Sequence, residues 1–172
     1  MTTDEELMLA FQRGSGEAFT ELFQRYRQRI YGFFRRRLQH PSRAEELAQE
    51  TFVAVLKAVE RYEPRALFRT YLYSIALNLL AAERRKSGRE TAEADPPEPV
   101  AAGDTEAAVW VRDALDRLES AEREILLLRE YEQLSYEEIA SLLQLQLNTV
   151  RSRLFRARMA LRELLVARAP QA

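Results

Sequence analysis

Several absences bound this chain. No cysteine occurs among its 172 residues, so disulfides and thiolate metal sites are excluded and the redox compartment is left open. The one histidine, His40, has no second ligand or nucleophile paired with it, and it reads as a loop residue. Only five glycines and six prolines interrupt a helical spacing that runs almost throughout, which points to an all-α protein. No stretch approaches the roughly 18 apolar residues of a transmembrane helix. The N-terminus, MTTDEELM, is acidic. Neither a signal peptide nor a membrane span is predicted, and the expected location is cytoplasmic. G-x-x-x-x-G-K, H-E-x-x-H and G-x-S-x-G are all missing, so no enzyme, metal or cofactor is expected. The net charge is −1, so any attraction to a polyanion has to be local.

A local charge of that kind is present. From Asn148 onward there are six arginines against Glu163 alone, net +5, while residues 107–147 carry four arginines and nine acids, net −5. The basic stretch belongs to SYEEIASLLQLQLNTVRSRLFRARMALRELL, residues 135–165, which reads as two helices and a tight turn. Ser135 with Glu138 forms a capping box for the first. That helix runs through Tyr136, Ile139, Leu142 and Leu143, with Ala140 small where a second helix must cross. Gln144–Gln146 make the break, and Asn148 is the expected N-cap of the second helix, with Thr149 just inside it. At 100° per residue, Val150, Leu154, Ala157, Leu161 and Leu164 share the core side. Asn148, Ser152, Phe155, Arg156 and Met159 fall roughly opposite, flanked by Arg151, Arg153 and Arg158. Arginine forks and short polar groups on an outward face suit a major-groove helix. A solvated arginine face on an ordinary bundle is the competing reading.

The first half is helical too. Asp4–Arg13 and Glu17–Leu38 place Leu7, Phe11, Phe19, Leu22, Phe23, Tyr26, Ile30, Phe33 and Phe34 at steps of three or four. Arg35, Arg36 and Arg37 end the second of these helices, where cations suit the dipole. His40-Pro41 reads as a stop, and Ser42 with Glu45 as a capping box opening AEELAQETFVAVLKAVERY. On that helix Leu47, Phe52, Val55 and Val59 face inward; Glu46, Gln49 and Glu50 stay outside. RYEPRAL is a loop set by Pro64. FRTYLYSIALNLLAAERRKSGR follows as a helix that offers aromatics for unstacked bases and a basic end, Arg84, Arg85, Lys86 and Arg89. The next segment, SGRETAEADPPEPVAAGDTE, holds one arginine against six acids with three prolines, and is expected to be a disordered or semi-extended linker. The predicted division is therefore 1–86, linker 87–106, and 107–172.

These motifs resemble a known family. LDRLESAEREILLLREYEQLSYEEIASLLQLQLNTVRSRLFRARMALREL is similar to the fourth conserved region of bacterial sigma factors, closest to the two-domain extracytoplasmic-function type. AEELAQETF is similar to the region that grips the polymerase clamp, and FRTYLYSIALN to the block that opens DNA and reads the −10 element. The resemblance implies two small helical domains, region 2 and a helix-turn-helix region 4. It implies core RNA polymerase and promoter DNA as partners, double-stranded at −35 and melted at −10, with an anti-sigma factor as a further candidate. Carried onto this sequence, it points to Glu46, Gln49 and Glu50 for polymerase. It points to Arg69, Tyr71 and Asn78 for −10, joined by the basic end Arg84, Arg85 and Lys86, and to Arg151, Ser152, Phe155 and Arg156 for −35, where the reading of the helix adds Asn148, Thr149 and Arg153. Tyr71 stands for a usual Trp, Leu77 for a basic residue and Ala82 for an Asp. Gln144 replaces a usual Gly, so a reshaped turn is expected there. The competing function is a stand-alone helix-turn-helix regulator with an N-terminal sensor or dimerisation domain. An anti-sigma or scaffold role would leave the arginine helix unexplained.

Overall fold

The structure, a computed structural model, describes residues 1–89 and 105–168. Among them are eight α-helices and no strand. They form two compact units divided within residues 90–104. Most of the expected linker lies outside the described residues, but Ser87, Gly88 and Arg89 end one helix and Glu106 opens another.

The first unit holds α1 (Asp4–Gln12), α2 (Gly16–Arg35), α3 (Pro41–Ala58), a 3-10 turn (Val59–Arg61) and α4 (Phe68–Arg89). Thr3 and Glu6 form a capping box at the start of α1, and Ser15 caps α2 after Gly14 takes φ +103°. The start of α3 departs from the sequence reading. Ser42 and Glu45 do not cap it; the helix begins at Pro41, with His40 at the N-cap position and no side-chain cap bond. A proline has its φ set for a helix and no amide to waste at the first position, so here it opens a helix instead of stopping one. Likewise α3 ends at Ala58 and tightens into the 3-10 turn before Tyr62.

α2 packs on α1 and α3, and α4 closes the unit against α3, α1 and α2. The interior is aromatic. Phe33, Phe34, Phe68 and Tyr73 are buried, with Phe33 5.1 Å from Phe34 and 5.7 Å from Tyr73, centroid to centroid. Met8, not singled out by periodicity, is fully buried. Arg37 is not a solvated helix-end cation. It is buried, lies 3.8 Å over the Phe33 ring and donates to the Phe33 carbonyl at 2.9 Å.

The second unit holds α5 (Glu106–Asp116), α6 (Ser120–Glu130), α7 (Tyr136–Leu143) and α8 (Leu147–Arg168). α8 packs against α5, α6 and α7. Ile125, Leu126, Leu127 and Leu128 of α6 are buried in succession beneath α8 and α7.

Candidate nucleic-acid interface

The α7–α8 pair is set by local chemistry at three points. Ser135 Oγ accepts the Glu138 amide at 3.1 Å, and Glu138 Oε2 accepts the Ser135 amide at 2.7 Å, so the capping box is complete. Gln144 then takes φ 54°, ψ 46°, and Leu145 donates to the Ala140 carbonyl at 2.9 Å. This is the left-handed helix ending that glycine favours. The turn is not reshaped: Gln144 accepts the conformation, and its Nε2 donates to the Ser141 carbonyl at 2.8 Å. Asn148 is not the N-cap of α8. The helix starts at Leu147, where the Gln146 carbonyl already accepts the Val150 amide at 3.1 Å. Asn148 lies inside the first turn and its Oδ1 accepts from Arg151 Nη1 at 3.2 Å.

The faces of α8 fall at the predicted angles. Val150, Leu154 and Ala157 are buried, while Leu161 and Leu164 are half-buried. Asn148, Arg151, Ser152, Phe155 and Arg156 are exposed; Thr149 and Arg153 are half-buried. The chain has eight phenylalanines, and Phe155 is the one in this unit, yet it is 65% exposed. It is a large aromatic left outside a core whose buried apolar residues are all aliphatic. Ser152 Oγ donates to the Thr149 carbonyl at 3.1 Å, so its hydroxyl is engaged with its own helix. Arg158 turns aside to Glu130, at 2.7 Å. Glu130, and then Tyr136, hold that guanidinium above its usual range. Arg158 thus ties α8 to α6, whereas Arg156 has no hydrogen bond or ion pair among the described residues.

On α4 the buried residues are Phe68, Thr70, Leu72, Tyr73, Ala76 and Leu80. Asn78 and Arg85 lie opposite them and are exposed, with Arg84 and Lys86 exposed on the flanks. Arg69 is half-buried. The aromatics of α4 are not an open stacking platform as the sequence suggested. Phe68 and Tyr73 are core, and only Tyr71 is half-exposed, 5.2 Å from Tyr62 and 6.2 Å from Phe68 by centroid. A helix that closes a small core must give its large rings to that core first.

On α3, Glu46, Gln49 and Glu50 are exposed on one side. Sequence reasoning missed what organises them. Arg43 Nη1 lies 2.6 Å from Glu46 and 3.3 Å from Glu50, while its Nε and Nη2 fork onto Glu83 of α4 at 2.9 and 2.7 Å. This bond, first of all, holds the Glu83 carboxyl below its usual range. No local pattern announces a pair forty residues apart. Gln49 stands at the edge of a groove of about 430 Å³ between α2 and α3, floored by Phe23, Tyr31, Ala48 and Phe52.

Among the described residues no group of acidic or histidine side chains could hold a metal, and no helix is long and apolar enough to cross a membrane. Comparison with known proteins places both units. Residues 22–90 match the family described as Sigma-70 region 2, and residues 108–161 match Sigma-70, region 4. The chain is 33% identical to the RNA polymerase sigma-H factor of Pseudomonas aeruginosa, covering 92% of this chain and 91% of that one. It is 34% identical to the RNA polymerase sigma factor CarQ of Myxococcus xanthus, over 92% and 95%. It is 30% identical to the extracytoplasmic-function sigma-E factor of Haemophilus influenzae, over 91% and 92%. Among solved structures, CnrH in complex with the cytosolic domain of CnrY aligns with a TM-score of 0.75 at 25% identity, over 96% of this chain and 99% of that one. The sigma factor RpoE of Bartonella quintana, in complex with the anti-sigma factor NepR, aligns at 0.72 and 25%, over 87% and 98%. A region 2 match across the first unit does not favour a sensor or dimerisation domain there. The chain belongs to the sigma-70 family of RNA polymerase sigma factors, in its extracytoplasmic-function group.

Proposed function

We propose that this sigma factor divides its work between its two units, with α8 as the −35 reader and the first unit as the polymerase and −10 module. The observation that carries the reading is the outward face of α8, where Arg156 and Phe155 stand exposed opposite the buried Val150–Leu154–Ala157 stripe. Arg151, Ser152, Phe155 and Arg156 enter the major groove, with Asn148 and Thr149 at the leading turn. Arg156, uncommitted in the free protein, forks onto a base. Arg151 and Arg153 meet phosphate. In the first unit, Glu46, Gln49 and Glu50 form part of the contact with core polymerase. Asn78, Arg69, Tyr71, Arg84, Arg85 and Lys86 meet the melted −10 strand, with Asn78 and Arg85 central because they lie opposite the core of α4.

The domains are 1–86 and 107–172, with the linker between them, and α4 carrying its helix three residues past the first boundary. The protein supplies specificity to an enzyme and carries out no catalysis itself. It works in the cytoplasm, where polymerase and promoter are, and an anti-sigma factor is a fitting partner because both solved relatives are held by a second protein.

The test is a binding series on the cognate −35 duplex and its single-base variants at fixed salt. Arg156→Ala should cost about 1–3 kcal/mol on the cognate duplex and flatten the preference at one base pair. Arg153→Ala should weaken every duplex alike and reduce the salt slope by about one. Unchanged affinity and preference in Arg156→Ala would mean that this face does not read DNA.

A further inference from the structure

α1 carries none of the proposed contacts, yet it holds both ends of the segment that leads into α4. Gln12 Nε2 points at three carbonyls, Val59 at 2.9 Å, Glu60 at 3.2 Å and Tyr62 at 3.1 Å. The Val59 carbonyl also accepts the Tyr62 amide at 3.1 Å, so Gln12 closes over the end of the 3-10 turn. At the other end, Glu5 Oε1 accepts the Phe68 amide at 2.6 Å. Phe68 is the first residue of α4, where an open amide and the helix dipole both favour a carboxylate. The buried Tyr62 hydroxyl is pushed up to about 12 by burial first and then by the charge of Glu5. α1 is itself anchored on α2, because Asp4 accepts from the Tyr26 hydroxyl and pairs with Arg25 at 2.7 Å.

Between the two held ends, Glu63, Pro64, Arg65, Ala66 and Leu67 are all exposed. Tyr62 and Phe68 turn inward and pack on Tyr71. Arg69 and Tyr71 follow the Glu5–Phe68 bond within three residues, so a tilt of that first turn moves both.

We propose that α1 is a positioning element for the DNA-reading end of α4, with Gln12 and Glu5 as its positioning residues. The proposal rests on the reading of α4 as the −10 helix. Misalignment of the first turn should lower affinity for an unpaired −10 strand and leave the other contacts alone.

The experiment uses the full chain, alone and reconstituted with core polymerase. Three affinities are measured: for core polymerase, for the −35 duplex, and of the holoenzyme for a promoter fork with an unpaired −10 strand. Gln12→Glu sets a carboxylate against three carbonyls, and Glu5→Ala removes the acceptor at Phe68. Both should weaken fork binding about tenfold, the scale of one or two lost hydrogen bonds. Core and −35 affinities should change by less than about twofold, within the reach of rim effects. Glu5→Gln keeps an acceptor and should restore most of the fork affinity. Asn78→Ala is the reference, since Asn78 lies on α4 and is exposed. If Asn78→Ala weakens the fork while Gln12→Glu and Glu5→Ala do not, the positioning role is overturned and the −10 reading stands. If none of the three weakens it, both fall. Loss of core affinity in step with fork affinity in Gln12→Glu and Glu5→Ala, with −35 binding by the second unit kept, would make α1 a folding element of the first unit only, and would overturn the proposal as well.

Discussion

Replacing Gln144 by glycine should stabilise the second unit. At φ 54° and ψ 46°, the Gln144 Cβ crowds the backbone at a cost of about 1–2 kcal/mol. Glycine removes that cost. Two losses oppose the gain. The bond from Gln144 Nε2 to the Ser141 carbonyl disappears, worth about 0.5 kcal/mol at this exposed position. Glycine also frees the unfolded chain, by roughly the same amount. The net gain should be about 0.5 kcal/mol, within a range of about 0–1, or about 2–4 °C in the midpoint of a unit this small. Trp110 on α5 is the only tryptophan, so its fluorescence follows this unit within the full chain. Gln144→Ala supplies the control, because it keeps the crowding and loses the bond, and it should fall about 0.5 kcal/mol below the parent. The expected order is Gly above Gln above Ala. An alanine variant as stable as the glycine one would show that no left-handed strain resides at this turn. Gln144 lies off the exposed face of α8, so −35 affinity should stay the same across the series.

Ser135→Ala should cost about 1 kcal/mol on the same Trp110 signal, because the Glu138 amide loses its acceptor and the capping box opens. Glu83→Gln should cost about 1–2 kcal/mol in the first unit, a partly screened charge-assisted pair, read by near-UV dichroism, to which five of the seven tyrosines contribute. The same variant should flatten acid denaturation: Glu83 is depressed in the fold, so its stabilisation is complete above the ordinary carboxyl value of 4.5 and lost as pH falls through the lower folded value. A parent and variant with identical acid profiles would show that Arg43 does not stabilise the carboxylate. Glu46→Gln with Glu50→Gln should weaken core polymerase binding about tenfold or more while helical dichroism holds. Neutral glutamines are the cleaner probe, since reversed charges would push on Arg43. Full binding by that double variant would relocate the contact.

The helices, their faces and the family were legible in the residue order because each depends on near neighbours. Val150, Leu154 and Ala157 share a face at helical spacing whatever lies beyond, and Ser135 reaches Glu138 within one turn. Boundaries read worse, because adjacent residues compete for them. Pro41 outbids Ser42 at the start of α3, and Leu147 precedes Asn148 at the start of α8. What only the tertiary structure decided is which polar groups are already committed. Arg43 is bound to Glu83, Arg158 to Glu130 and Arg37 to Phe33, while Arg156 remains available. The amide that opens α4 is capped by Glu5, sixty-three residues away. Arginines look alike in sequence, and a hydrogen bond across such a distance leaves no periodic trace. It exists only once the core has brought the two chain segments within 3 Å.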